Sequence, residues 1–212
     1  MRCMGHRLTA IVALTGLLLY GAVSHGQDNS PATGSIRGTI SVSSVKSPEN
    51  VVVYLKEVPG KYAPTKGAHV NQKKITFVPH VLPVLRGTTV TFENDDPILH
   101  NIFWPRSKGY AARNLGTWGK GGTRKYTFSQ LGEVVLLCNV HPEMEGHILV
   151  LQNPFFAVVG KDGTYEIKGV PPGNYTAKTW YTRPKKLRSK SAKVTVSAGK
   201  STALDFSLSR HR

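Results

Sequence analysis

"EVVLLCNVHPEMEGHILVL", residues 133–151, sets two β-like apolar runs on either side of a short loop of metal-ligating side chains. Cys138 ends the first run, His141 follows three residues later, and Met144 three after that. The run "VVLLC" puts Cys138 at a strand end, with His141 and Met144 on the loop beyond it. Thiolate, imidazole and thioether are soft or borderline donors, and together they favour copper over hard cations. A blue-copper arrangement needs one more imidazole, giving two His and one Cys in a plane with a weak axial Met. The best donor is His100 in "FENDDPILHNIFW" (92–104), between two further β-like runs. Asn101, next in the chain, can hydrogen-bond across the loops and hold the ligands in place.

On these residues a family becomes recognisable. "TTVTFENDDPILHN" (88–101) followed by "FSQLGEVVLLCNVHPEM" (128–144) resembles the cupredoxins, the small blue copper proteins, over most of residues 74–152. The spacing within 138–144 is similar to the short ligand loop of amicyanin rather than the longer one of plastocyanin. The resemblance implies one type 1 copper held by His100, Cys138, His141 and Met144, at one end of a Greek-key β-sandwich. Other metal chemistries fit worse. C-type haem attachment and the binuclear copper site of cytochrome oxidase both need a second Cys near the first. Multicopper oxidases need repeated His-x-His pairs, and structural zinc takes Met poorly. A Cys–His catalytic dyad would explain neither Met144 nor His100-Asn101. His147, in "GHILV", is expected to be an exposed strand residue, and His69 and His80 to be structural. Whether these histidines form a second site stays open. Trp104 and Trp118 read as packing residues, and Glu143 and Glu145 as solvated charges or as local charge where a partner docks.

The compartment is read from the start of the chain. "MRCMGHR" is basic, "LTAIVALTGLLLYGAV" is an apolar run of 16 residues, and "SHGQDNSPATG" is small and polar. That order is a signal peptide, 1–26, with cleavage after Gly26, and it implies a periplasmic or otherwise exported protein. Cys3 leaves with it, so Cys138 is the one cysteine of the mature chain and an internal disulfide is excluded. A lone thiol in an oxidising compartment is a liability, and a metal bond is one protection. Arg2 and Arg7 also leave, so 26 basic side chains face 12 acidic ones, a balance of +14. Such charge steers association with acidic proteins or anionic membrane. Export, and the lack of a recognition-helix pattern, argue against nucleic acid.

After residue 27 no segment keeps a 3.6-residue apolar period. Short β-like runs recur between Gly, Pro, Asn and Asp, which reads as an all-β chain of sandwiches or barrels. "KITFV" (74–78) is one such run, and "KVTVSAGKSTALDFSL" (193–208) reads as a hairpin because Val194, Val196, Leu204, Phe206 and Leu208 alternate. The outer runs, with "DGTYEIKGVPPGNYTAKTW" (162–180) as their specific part, resemble a carboxypeptidase-regulatory-like module, a small prealbumin-like sandwich. The expected organisation is therefore discontinuous. Residues 34–59 and 153–209 form the outer β-sandwich, and 60–152 the inserted copper domain.

Single-electron transfer with a redox protein partner is the function this reading implies, without enzymatic turnover. The alternatives are a periplasmic copper carrier or sensor using the same ligands, and a non-redox structural or adhesion module. "RPKKLRSKSAK" (183–193) holds six basic side chains in eleven positions. It is expected to be either a solvated loop or an electrostatic handle for an acidic partner or an anionic membrane surface.

Overall fold

The structure is a computed structural model that describes residues 32–43, 45–182 and 187–209. The signal-like segment 1–26 and Lys185 and Lys186 of the basic loop lie outside the described residues. Within them the chain is all-β, with seventeen strands and no helix. No helix is long and apolar enough to cross a membrane among the described residues. The strands are β1 (Gly34–Val42), β2 (Val52–Lys56), β3 (His69–Gln72), β4 (Phe77–Val78), β5 (Val81–Leu85), β6 (Thr88–Asn94), β7 (His100–Trp104), β8 (Arg113–Trp118) and β9 (Thr123–Phe128). They continue with β10 (Gly132–Leu137), β11 (Glu145–Leu151), β12 (Phe156–Val158), β13 (Thr164–Val170), β14 (Gly173–Trp180), β15 (Ser191–Val196), β16 (Ser201–Ala203) and β17 (Phe206–Leu208).

Four sheets result. One has the order β5-β11-β10-β7-β8 and another β4-β3-β6-β9. Their inner faces close on one core that includes Val70, Phe92 and Phe128 from the second sheet and Ile102, Trp104, Leu136 and Ile148 from the first. Neighbours distant in sequence alternate within each sheet, as in a Greek-key sandwich. The other two sheets, β13-β1-β16 with β17 also on β1, and β12-β2-β14-β15, enclose a second core. That core includes Ile36, Val53, Leu55, Ile167, Val194 and Phe206.

A third apolar cluster joins the two sandwiches. Val52 from β2 meets Val81, Leu149 and Leu151 from β5 and β11, with Tyr54, Phe156 and Trp180 packed against them. This seam accounts for two runs that do not alternate. In "VVVYL" Val53 and Leu55 face the outer core while Val52 faces the seam. In "HILVL" Ile148 and Val150 face the inner core while Leu149 and Leu151 face the seam. A strand buried on both faces reads as a continuous apolar run. The chain enters and leaves the inner sandwich at one place. Asn153 Nδ2 donates to the Leu55 carbonyl at 2.8 Å, and Gln152 Nε2 to the Val58 carbonyl at 2.9 Å.

Two local expectations are corrected. "KVTVSAGKSTALDFSL" is not a hairpin, because β15 pairs with β14 while β16 and β17 run parallel to β1 in the opposite sheet. Val194, Val196, Phe206 and Leu208 do share one core. Alternation reports a buried face but not which sheet supplies it. "KITFV" is strand only at Phe77–Val78. Lys74 and Ile75 have φ of 54° and 55° and form the tip of the β3–β4 hairpin, with the Thr76 N–H donating to the Lys73 carbonyl at 3.2 Å. Positive φ at both central residues is the type I′ requirement, normally met by Asn-Gly. A β-branched residue there is strained by about 1–3 kcal/mol, and a nearby carboxylate offsets it.

Candidate metal centre

That carboxylate is Asp96. Its Oδ1 accepts the Lys74 N–H at 2.7 Å and its Oδ2 the Ile75 N–H at 2.9 Å. Successive backbone N–H groups in such a turn form a concavity that binds anions. Asp96 Oδ2 also lies 2.8 Å from His100 Nε2. Burial pushes the Asp96 carboxyl up, but the Ile75 and Lys74 N–H groups and the His100 ring outweigh it and hold the group below its ordinary value. An ionised carboxylate only accepts, so His100 carries its proton on Nε2 and keeps the Nδ1 lone pair for another partner. The strained turn, Asp96 and the His100 tautomer are thus one linked unit.

His100 opens β7 and is fully buried. Its Nδ1 is 3.0 Å from Nδ1 of His141, with the ring centroids 4.7 Å apart. Cys138 follows the last residue of β10 and is 3% exposed. One ring nitrogen from each histidine and the Cys138 Sγ all lie within 4.8 Å of one another. Met144 is buried in the same core as Cys138. Its N–H closes the loop on the His141 carbonyl at 3.0 Å. The structure therefore brings His100, Cys138 and His141 together and buries Met144 at the end of the same loop. His141 is the only one of the four that is not fully buried.

Asn101 ties the loops together. Its backbone N–H points at Cys138 Sγ at 3.4 Å, and its side-chain oxygen accepts the Asn139 N–H at 3.3 Å. Its Nδ2 donates to Asn114 Oδ1 and to the Gly116 carbonyl, both at 2.8 Å. A register shift between Asn101 and Phe103 on β7 turns the residue toward these partners, a common use of a bulge.

Sequence reasoning missed Asp96, although "NDDP" four residues before His100 signals an acceptor-rich turn. It also placed His147 wrongly. His147 is buried, 2% exposed, on the face of β11 that carries Leu149 and Leu151 to the seam. His69 is exposed and His80 half-buried. Trp104 and Trp118 are core residues of the inner sandwich, and Glu143 and Glu145 are exposed.

Asp96→Asn would set an amide –NH₂ against N–H donors, so at least one of the three bonds is lost. The expected result is about 1–3 kcal/mol lower stability and copper retention weakened about 10- to 100-fold, measured by denaturant unfolding and by competition with a chelator. Unchanged retention would mean that the His100 ring is oriented without Asp96.

No protein-family model and no curated protein matches the chain. Among solved structures it is similar to a copper-containing nitrite reductase from Thermus scotoductus SA-01, at 28% identity over 47% of this chain and TM-score 0.40. The likeness spans 25% of that reductase. The chain is also similar to a reduced amicyanin variant, at 29% identity over 41% of this chain and 85% of that one, TM-score 0.38. A purple cupredoxin from Nitrosopumilus maritimus is 25% identical over 40% of this chain and 99% of that one, TM-score 0.36.

Proposed function

We propose that the chain is an exported mononuclear copper protein of the cupredoxin type that passes single electrons between redox partners and is not an enzyme. The observation that carries this reading is the convergence of His100, His141 and Cys138 donor atoms within 4.8 Å. The fit to copper is chemical: a buried thiol, two imidazole nitrogens facing each other and a buried thioether make a soft set that zinc would not favour. Bound copper would supply one-electron chemistry between Cu(I) and Cu(II).

The chain's own residues do the rest. Asp96 and Asn101 hold the donors in a preset arrangement, so little has to reorganise when charge changes. The Asn101 N–H and the apolar core around Cys138 tune the thiolate. Four protein donors leave no position for a substrate. Three of the four are buried, which favours retention of the ion over the ready exchange that a carrier or sensor requires. His141 is the least buried donor and gives the natural exit for an electron. Exposed Ile98, Leu99 and Val140, 40%, 58% and 46% accessible, stand beside the two ligand histidines in the chain. They suit a small, transient contact, below about 1,200 Å² in total.

Reconstitution with Cu²⁺ tests the reading. The protein should turn blue or green through intense thiolate-to-copper absorption. A colourless protein that takes zinc and gives no such band with copper would sink it.

The basic stretch 183–193 is proposed as the electrostatic handle. Exposed charges act mainly on association rate and are screened over about 8 Å at physiological salt. Changing Lys185, Lys186, Arg188 and Lys190 to Gln should slow electron exchange with an acidic redox protein at low ionic strength, measured by stopped flow. Colour and potential should not change. Equal rates, with equal binding to anionic vesicles, would leave these charges no role beyond solvation, the last three residues of the stretch being the start of β15 rather than loop.

A further inference from the structure

A second group of ligating side chains lies beside the first and takes no part in it. His147 Nδ1 is 3.1 Å from Glu133 Oε1, and its Nε2 is 3.1 Å from Glu145 Oε1. Carboxylates only accept, and a neutral imidazole has one N–H to give. With a neutral ring only one of the two facing pairs can be a hydrogen bond, and the other then leaves a place for a cation between its atoms. His80 completes the group: one ring nitrogen of His80, one of His147 and a Glu145 carboxylate oxygen all lie within 4.8 Å of one another. The His80 carbonyl also accepts the His147 N–H at 2.8 Å, and the two rings meet edge to face with centroids 5.4 Å apart.

We propose that His80, Glu145 and His147 form a second metal site, separate from the Cys138 cluster, that takes a borderline divalent first-row ion, Zn²⁺ or Cu²⁺. Two imidazoles and one carboxylate, with water in the remaining position, are a recurrent donor set for zinc. The same nitrogen and oxygen donors suit Cu²⁺, whose affinity for such sites is higher. The ion sits on the Nε2 side of His147, toward Glu145. Nδ1–H then donates to Glu133, which fixes the tautomer and makes the ring a better ligand. Glu133 is itself held, because Trp180 Nε1 donates to its Oε2 at 3.4 Å while the Trp180 ring packs on His147 at 5.6 Å. Glu145 is exposed and His80 half-buried, so the ion can enter from solvent with His147 at the bottom of the site.

The position gives the ion a structural effect. It ties the residue before β5 to the start of β11, and through Glu133 and Trp180 it reaches across the seam between the sandwiches. Glu145 also follows Met144 directly, so an occupied site would anchor the end of the Cys138–Met144 loop.

The test uses the full chain carrying Cys138→Ser and His141→Ala, which disables the first centre whether or not its electron-transfer role is right. Zn²⁺ alone is added, excess is removed by gel filtration, and bound metal is counted by elemental mass spectrometry. One zinc per chain is expected, with a higher thermal midpoint than the metal-free protein. His80→Asn and Glu145→Gln should each weaken binding at least tenfold by calorimetry. A parallel titration with Cu²⁺ should give a weakly coloured species whose spin-resonance spectrum shows imidazole nitrogens and no thiolate, and Cu²⁺ should displace zinc. Glu145 is exposed, so its variant is expected to fold even if His80→Asn does not. Retention of no metal, or stoichiometric binding that Glu145→Gln leaves unchanged, overturns the proposal.

Discussion

Copper-loaded protein carrying Cys138→Ser is expected to lose the intense visible absorption completely, because that band is a charge transfer from thiolate sulfur to the metal. A serine hydroxyl is a hard, neutral donor and leaves two imidazoles to hold the ion. Stability of the metal-free fold should change little, since Ser is close to Cys in volume and Asn101 N–H, 3.4 Å from the sulfur, can bond the hydroxyl oxygen instead. Visible spectra and calorimetric unfolding on the same samples separate the two effects. His141→Ala should weaken or rearrange the band. Met144→Leu should keep it and shift the potential, because a thioether would be the weakest of the donors to bound copper and the core position tolerates a swap of similar volume. A Cys138→Ser protein that stays blue would remove the thiolate from the site and with it the electron-transfer reading.

The clustering of Cys138 and His141 with His100 was legible because the 138–144 loop combines rare residue types at a spacing that core packing does not require. Asp96 was not, since nothing in "ENDDPILHN" says that a carboxylate will reach a strained turn more than twenty residues earlier. Only the positive φ of Lys74 and Ile75 gives that turn its need for an acceptor. The error over His147 has a different origin. A histidine at a strand start beside a loop reads as solvated, yet the unbroken run "HILVL" already implied two buried faces. His147 shares the seam face with Leu149 and Leu151, and what covers it is Trp180, 33 residues further along.

The same distance problem limits the fold reading. The all-β class follows from turn residues and short apolar runs, which are local properties. Strands β3, β5 and β8 were not read as strands. Gln72 is fully buried at the end of β3, Pro83 interrupts β5, and β8 buries only Trp118. Pro83 is tolerated because β5 is an edge strand, where a missing N–H costs no ladder bond. The crossover after β15 is non-local as well. Gly199, at φ 67°, makes a turn that looks like a hairpin turn, but the strand beyond it joins β1 because both faces of the outer sandwich need covering.

Removing residues 60–152 and joining the ends through a short Gly/Ser turn is expected to leave a folded module. All the buried residues of the outer core lie between Ile36 and Val58 or between Phe155 and Leu208, so the deletion takes none of them. The ends are already adjacent, with the Leu55 N–H donating to the Phe155 carbonyl at 2.9 Å, and insertion is tolerated at such a place. The seam supplies the cost. Val52, Tyr54, Phe156 and Trp180 lose the β5 and β11 side chains that cover them, leaving an exposed apolar patch that favours self-association. Tyr62, packed edge-on against Phe155 at 5.8 Å, is lost too. The shortened chain should therefore unfold cooperatively, at a lower midpoint than the parent, and dimerise or aggregate as concentration rises. Residues 28–152 alone should fail to fold as a whole, because β1 and β2 find their partners in β12, β13, β14, β16 and β17. Circular dichroism and sedimentation on both chains decide the matter. A disordered shortened chain would show that the outer sandwich does not fold without the inner one, and a 28–152 chain in which β1 and β2 are protected from hydrogen exchange would show that these two strands belong to the inner domain.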